Sequence, residues 1–444
     1  MSASMSASAS TPPHRVTVAP GVGGVVTPAT GSIGLSGAFF AAAVFYLTAG
    51  AIGVVWIAPE IAAATFLSPR VAGVTHLFTL GWITATIFGA LYQLLPVALG
   101  APIRWQRIAR ASWWTFVPGV GAFASGVVID SSILRYLGVG LLTTGIALVV
   151  INVVASLARS AHRDATWAAI AIAFTFLVAT LGLGLILVHN LHTGFIAAAR
   201  VRVLATHLHV AIVGWALMMI VGVSHRLLPM FLLAHTPNVR WTRRSLGFLS
   251  AGVVALGCGL TSQSAPLRWV GTVCLDVGLA CFVAQALVFY RARVRKRVDA
   301  GLRFAATALG FLAAAAVLGT YIALRGSAAP SIGVAYVIAG LLGGVCIYVL
   351  GFTYKIIPLL VWTAAYRGRM GRSAVPLVAD MYSPRLASIQ LVAMAAGVAV
   401  LAASALFASS TGVYVGALSF LIGTALFLAQ LVRIALHLRV SHAE

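Results

Sequence analysis

The chain has 444 residues, of which 61% are hydrophobic and only 8% charged, and its mean hydropathy is +1.04. A soluble domain carries about 25% charged residues, so the composition excludes an ordinary cytosolic enzyme, a disordered chain and a secreted disulfide scaffold, and leaves a polytopic membrane protein. The formal net charge of +22 does not point to nucleic acid, because the basic residues sit in short stretches between apolar segments, where the positive-inside bias of membrane proteins puts them.

Residues 1–33 are rich in Ser, Ala, Thr, Pro and Gly and include the low-complexity run MSASMSASAS. They read as a disordered cytoplasmic tail. No apolar run directly follows a charged start, so no cleavable signal peptide is expected. Behind the tail come twelve apolar segments: 35–58, 72–99, 112–130, 134–158, 166–189, 203–234, 245–262, 266–290, 302–324, 331–363, 386–408 and 412–436. Each is near the length of about 20 residues that spans a bilayer. With both termini inside, 21 Lys and Arg fall in the tail and inner loops and 6 in the outer loops. That bias predicts a multi-pass protein of the cell inner (cytoplasmic) membrane with N- and C-termini cytoplasmic. Cys258, Cys274, Cys281 and Cys346 all lie inside apolar stretches without CxxC or Cys/His ligand spacing, and read as small apolar packers.

A repeat organises the segments. The second contains Gly81-Trp82, Gly89 and Tyr92-Gln93-Leu94-Leu95-Pro96. The sixth contains Gly214-Trp215, Gly222 and His225-Arg226-Leu227-Leu228-Pro229, with every element displaced by the step that carries Pro96 to Pro229. The tenth contains Gly343-Gly344, Gly351 and Tyr354-Lys355-Ile356-Ile357-Pro358, displaced again by one constant step, that from Pro229 to Pro358. Each copy is the second helix of a four-helix unit, so the expected fold is all-α, with twelve transmembrane helices in three pseudo-symmetric four-helix repeats over 34–165, 166–300 and 301–444. The glycines admit close approach of a backbone or a flat ligand, and each proline falls near the inner end of its helix, where a break is cheap.

His76 and His209 occupy equivalent positions in the repeat, near the outer ends of their helices. Two neutral imidazoles projecting from neighbouring helices are what bis-His ligation of a heme requires; the plainer alternative is a pair of interfacial histidines donating to loop carbonyls. His207 lies two residues from His209, about 200° around a regular helix, so the two are not expected to face one site. His189 and His192, at i and i+3, share a helical face and could complete a copper site with His207, or simply form a hydrated helix end. Toward the inner ends, Tyr92, His225 and Tyr354 form a repeat-related set backed by Gln93, Arg226 and Lys355. They suggest either a polar cluster for protons or heme propionates, or cations reaching for the inner headgroups. Asp276 is the one carboxylate well inside a span, a proton carrier or a neutral, hydrogen-bonded acid.

Three four-helix arcs, both termini inside and a histidine at the outer start of the second helix resemble subunit I of the heme-copper oxidase superfamily. The segments THLFTLGWITATIFGALYQLLP and HLHVAIVGWALMMIVGVSHRLLPMF look most like its nitric oxide reductase and cbb-type oxidase branches; the likeness to NnrS-type heme and copper membrane proteins is looser. The resemblance implies that His76 is an axial ligand of a low-spin heme b, that His207 or His209 falls at a copper-ligand position, and that the partners are an electron-donor subunit or cytochrome and a diatomic gas such as nitric oxide or oxygen. Two departures matter. Tyr336 to Pro358 has no histidine where the family's tenth helix carries H-x-H, and Arg244 to Cys258 lacks the paired copper histidines. A complete binuclear centre is therefore not expected, which disfavours terminal-oxidase turnover and leaves Tyr336 and Tyr354 as the tenth-helix residues available to replace a lost ligand. The competing class is a cofactor-free transporter or metal-handling assembly protein on the same scaffold, since transporters too are built from repeats.

Overall fold

The computed structural model describes residues 34–235, 239–294, 298–326, 329–370, 372 and 374–440; the expected tail over 1–33 lies outside them. Among the described residues there is helix and no strand. Twelve long helices follow one another: α1 (Gly34–Trp56), α2 (Pro69–Val97), α3 (Gln106–Val128), α4 (Ser132–Leu157), α5 (Ala165–Thr193), α6 (Ala197–Leu232), α7 (Arg240–Thr261), α8 (Ala265–Arg291), α9 (Ala300–Arg325), α10 (Pro330–Arg369), α11 (Pro384–Leu406) and α12 (Ser410–Arg439). Eleven are long and apolar enough to cross a membrane, and the protein is an all-α polytopic membrane protein. The exception is α3, whose first half is diluted by Ser112, Trp113, Trp114, Thr115 and Pro118.

The helices pack in a repeating order. α1 lies on α2, α5 on α6 and α9 on α10, while α3 with α4, α7 with α8 and α11 with α12 form tight antiparallel pairs. α4 then meets α5, α8 meets α9 and α12 returns to α1, so the peripheral helices close around α2, α6 and α10. The three central helices touch one another through stretches wound as π-helix: Leu77–Thr84, Val210–Leu217 and Ile338–Cys346. These carry the first glycines of the repeat. Such widened turns are rare, and here they coincide with close packing, which creates a demand for small residues.

The glycines meet that demand. A Cβ at Gly81 would stand 2.4 Å from Cβ of Tyr46 on α1; at Gly214, 2.7 Å from Cγ of Phe176 on α5; at Gly343, 2.4 Å from Cγ of Phe311 on α9. One ring from the first helix of each run thus presses on the backbone of the second. The antiparallel pairs repeat as well, with Gly119 and Gly145, Gly252 and Gly278, and Gly397 and Gly423 each facing the partner helix closer than a side chain would allow. Without a hydrophobic force between helices in lipid, this intimate van der Waals contact is what holds them together. The turns closing the pairs repeat too, since Asp130, Gln263 and Ala408 hold φ of +53°, +61° and +52°.

The contact predicts a specific non-additivity. Gly343→Val should lower the thermal stability of the detergent-solubilised protein by roughly 1–3 kcal/mol, the usual cost of overpacking. Phe311→Ala in the same chain should recover part of that loss although it is destabilising alone; simple addition of the two losses would show that the ring does not press on the glycine.

Candidate functional site

At the ends of the central helices away from the repeat's prolines, two polar contacts join successive copies. α2 starts cleanly because Pro69 occupies its first turn after an extended Ser68, which puts His76 two turns in, against the edge of Phe123 with ring centres 5.0 Å apart. Nδ1 of His76 donates to the Ala72 carbonyl at 2.7 Å. A carbonyl can only accept, so the proton is on Nδ1 and the Nε2 lone pair is left for a proton donor or a metal. Across from it stands His207 of α6, with ring centres 6.5 Å apart and planes 34° from parallel. Nδ1 of His207 is shielded from solvent, and the ring lies against α5 by Gly184 and the Thr180 carbonyl.

His209 repeats the arrangement one interface on. Its Nδ1 donates to the Ala205 carbonyl at 2.7 Å, and its Nε2 accepts from the Tyr336 hydroxyl of α10 at 3.0 Å. The two rings stack 5.8 Å apart. Tyr336 stands to His207 in the sequence as Pro358 stands to Pro229, so it is the tenth-helix counterpart of His207. The seats of these rings repeat as well. A Cβ on Gly184 of α5 would lie 3.3 Å from His207, and one on Gly319 of α9 would lie 3.2 Å from Tyr336; in the first copy Gly53 of α1 meets Val74, the residue equivalent to His207. The third copy has Ile338 where the others have His76 and His209. Of the three repeat-related interfaces, two therefore carry polar rings and the third is apolar at both positions. Asp276 of α8 accepts from Thr320 of α9 at 2.6 Å, and Thr320 is next in sequence to the Gly319 that seats Tyr336.

The expected pairing is thus redistributed. His76 and His209 do occupy equivalent places, but the ring beside His76 is His207, and His209 is bonded to Tyr336. His207 and His209, two residues apart, face different neighbours. His189 and His192 are exposed near the end of α5, His189 against Phe195. They do not gather with His207: no group of three or more His, Cys, Asp or Glu that could hold a metal ion forms among the described residues.

The residues expected as one inner cluster are separate ties instead. Tyr92 bonds Ser112 of α3 at 3.1 Å, His225 bonds Thr242 of α7 at 3.0 Å, and Tyr354 donates to Gln390 of α11. Arg226 pairs with Asp164 at 3.8 Å and Lys355 with Asp299. Those two aspartates cap the starts of α5 and α9, Asp164 accepting from the amides of Thr166 and Trp167 and Asp299 from that of Leu302. Cations at one repeat position thus tie the second helix to the N-cap of the first, a role that reading α6 and α10 alone did not reveal. The signal was present in the sequence as an Asp just ahead of α5 and of α9.

No family model matches the chain, and no curated protein matches it.

Tyr336→Phe should leave Nε2 of His209 without its donor. In a double-mutant cycle with His209→Ala, read by thermal unfolding in detergent, we expect a coupling of about 0.5–2 kcal/mol, the span seen for side-chain hydrogen bonds between membrane helices. Additive losses would show that the two rings do not interact.

Proposed function

We propose that this is a divergent heme-binding membrane protein with the architecture of heme-copper oxidase subunit I, in which His76 and His207 would hold a b-type heme and the role is electron transfer. The observation that carries the reading is the ring pair. The two ring centres stand 6.5 Å apart on neighbouring central helices, so that one bound group could take a nitrogen from each. The donor set fits the group. His76 is braced by the Ala72 carbonyl in the tautomer that frees Nε2, and His207 stands beside it on the neighbouring central helix. Two imidazoles alone are a poor cage for a bare ion, which wants three or four protein ligands, whereas a porphyrin brings four nitrogens of its own. Copper would have to find further ligands.

When bound, heme would supply one-electron redox chemistry. The chain's own part would be to fix ring orientation through the Ala72 carbonyl and to back His76 with the Phe123 edge. With His76 and His207 both engaged in holding it, such a heme would serve electron transfer rather than the binding of nitric oxide or oxygen. An electron-donor subunit or cytochrome is the partner this implies, and the charge bias of the loops supports placement in the cytoplasmic membrane with both termini inside.

Oxidised and reduced absorption spectra of the protein purified after expression with ample heme test the assignment. Wild type and His209→Ala should show a b-type Soret band, and His76→Ala and His207→Ala should lose it. Loss in His209→Ala with retention in His207→Ala would move the second ligand to His209. A colourless wild type would overturn the heme reading and favour a transporter or metal-handling protein.

A further inference from the structure

The opposite halves of the central helices frame something different. Between α2, α6 and α10, and lined by no other helix, lies a pocket of about 60 Å³ that is open on one side rather than sealed. Its origin can be read from the repeat. Ala90, Val223 and Phe352 stand at one equivalent position, each the same distance ahead of its repeat proline, Pro96, Pro229 or Pro358, and all three line the pocket. Where the second and third copies place a branched and an aromatic side chain, the first places a methyl group, and the missing volume remains as space on the axis.

The wall is apolar although hydroxyl-bearing residues contribute to it. Ser224 and Tyr348 bond each other at 2.7 Å, and Thr353 donates to the Leu350 carbonyl at 2.6 Å. Only the Thr86 hydroxyl is shielded and without a partner among the hydroxyls lining the pocket. A buried water needs two to four polar partners, whereas apolar cavities stay dry and take apolar guests; an engineered cavity of about 150 Å³ accepts benzene or xenon. The present volume is well below that figure yet several times the roughly 10–15 Å³ that one water requires. The space is smaller than an aromatic guest fills, and a water in it would meet one unpartnered hydroxyl, that of Thr86.

We propose that this axial pocket is a binding site for one small apolar molecule of diatomic-gas size. The site is distinct from the histidine pair, and the proposal does not depend on heme.

Xenon is the probe. The full-length protein in detergent, with or without heme, is titrated with xenon and followed by 129Xe NMR, and crystals are pressurised to locate the atom. We expect one saturable site between Ala90, Val223 and Phe352, retained in His76→Ala, lost in Ala90→Leu, and weakened by prior saturation with oxygen. Ala90→Val, a smaller change, should weaken xenon binding without abolishing folding and serves if Ala90→Leu does not fold. Ordered water in place of xenon, xenon only elsewhere, or undiminished binding in both Ala90 variants would overturn the proposal.

Discussion

The structure depends on one kind of contact, an aromatic ring of a peripheral helix pressed against a glycine of a central one. Tyr46 on Gly81, Phe176 on Gly214 and Phe311 on Gly343 bring each first helix so close to its second that no Cβ could stand between them. The central helices are wound as π-helix over these same stretches and meet one another there. The register set at the glycines then fixes what lies on either side of them: ring pairs toward one end, the axial pocket toward the other. In lipid such close packing replaces the hydrophobic force that organises a soluble core.

Divergence between the copies produces the chemistry. If the three interfaces were identical, the centre would be a closed apolar seam. Instead His76 faces His207, His209 faces Tyr336, and the third interface has Ile338 and Val74 at the corresponding positions. Near the prolines the asymmetry is one of size, Ala90 against Val223 and Phe352. The same backbone contact thus frames a polar pair, a hydrogen-bonded pair and a cavity, according to which side chain occupies each equivalent position.

The helical fold was open to reading because apolar runs near bilayer length and the glycine pattern are properties of sequence alone. What escaped the sequence is the direction of side chains. The repeat step correctly grouped His76 with His209, but equivalent residues in a threefold arrangement point to equivalent places, not to each other. Carrying the step from the sixth to the tenth helix onward from His207 would have reached Tyr336 and suggested that the residue two positions earlier is the one that crosses the interface. The π-helical winding left no mark beyond the glycines, which also serve regular helices. Arg226 and Lys355 looked like headgroup-seeking cations because their partners, Asp164 and Asp299, lie far away in the sequence, at the starts of other helices.

The claim that these relations converge on is that His76 faces His207 across the α2–α6 interface. Solid-state NMR of the histidine-labelled protein in lipid bilayers reads this directly, through magnetisation transfer between imidazole rings. The account predicts one strong inter-residue ring cross-peak that disappears in both His76→Ala and His207→Ala and persists in His209→Ala. A cross-peak that vanishes in His76→Ala and His209→Ala but survives in His207→Ala would contradict it.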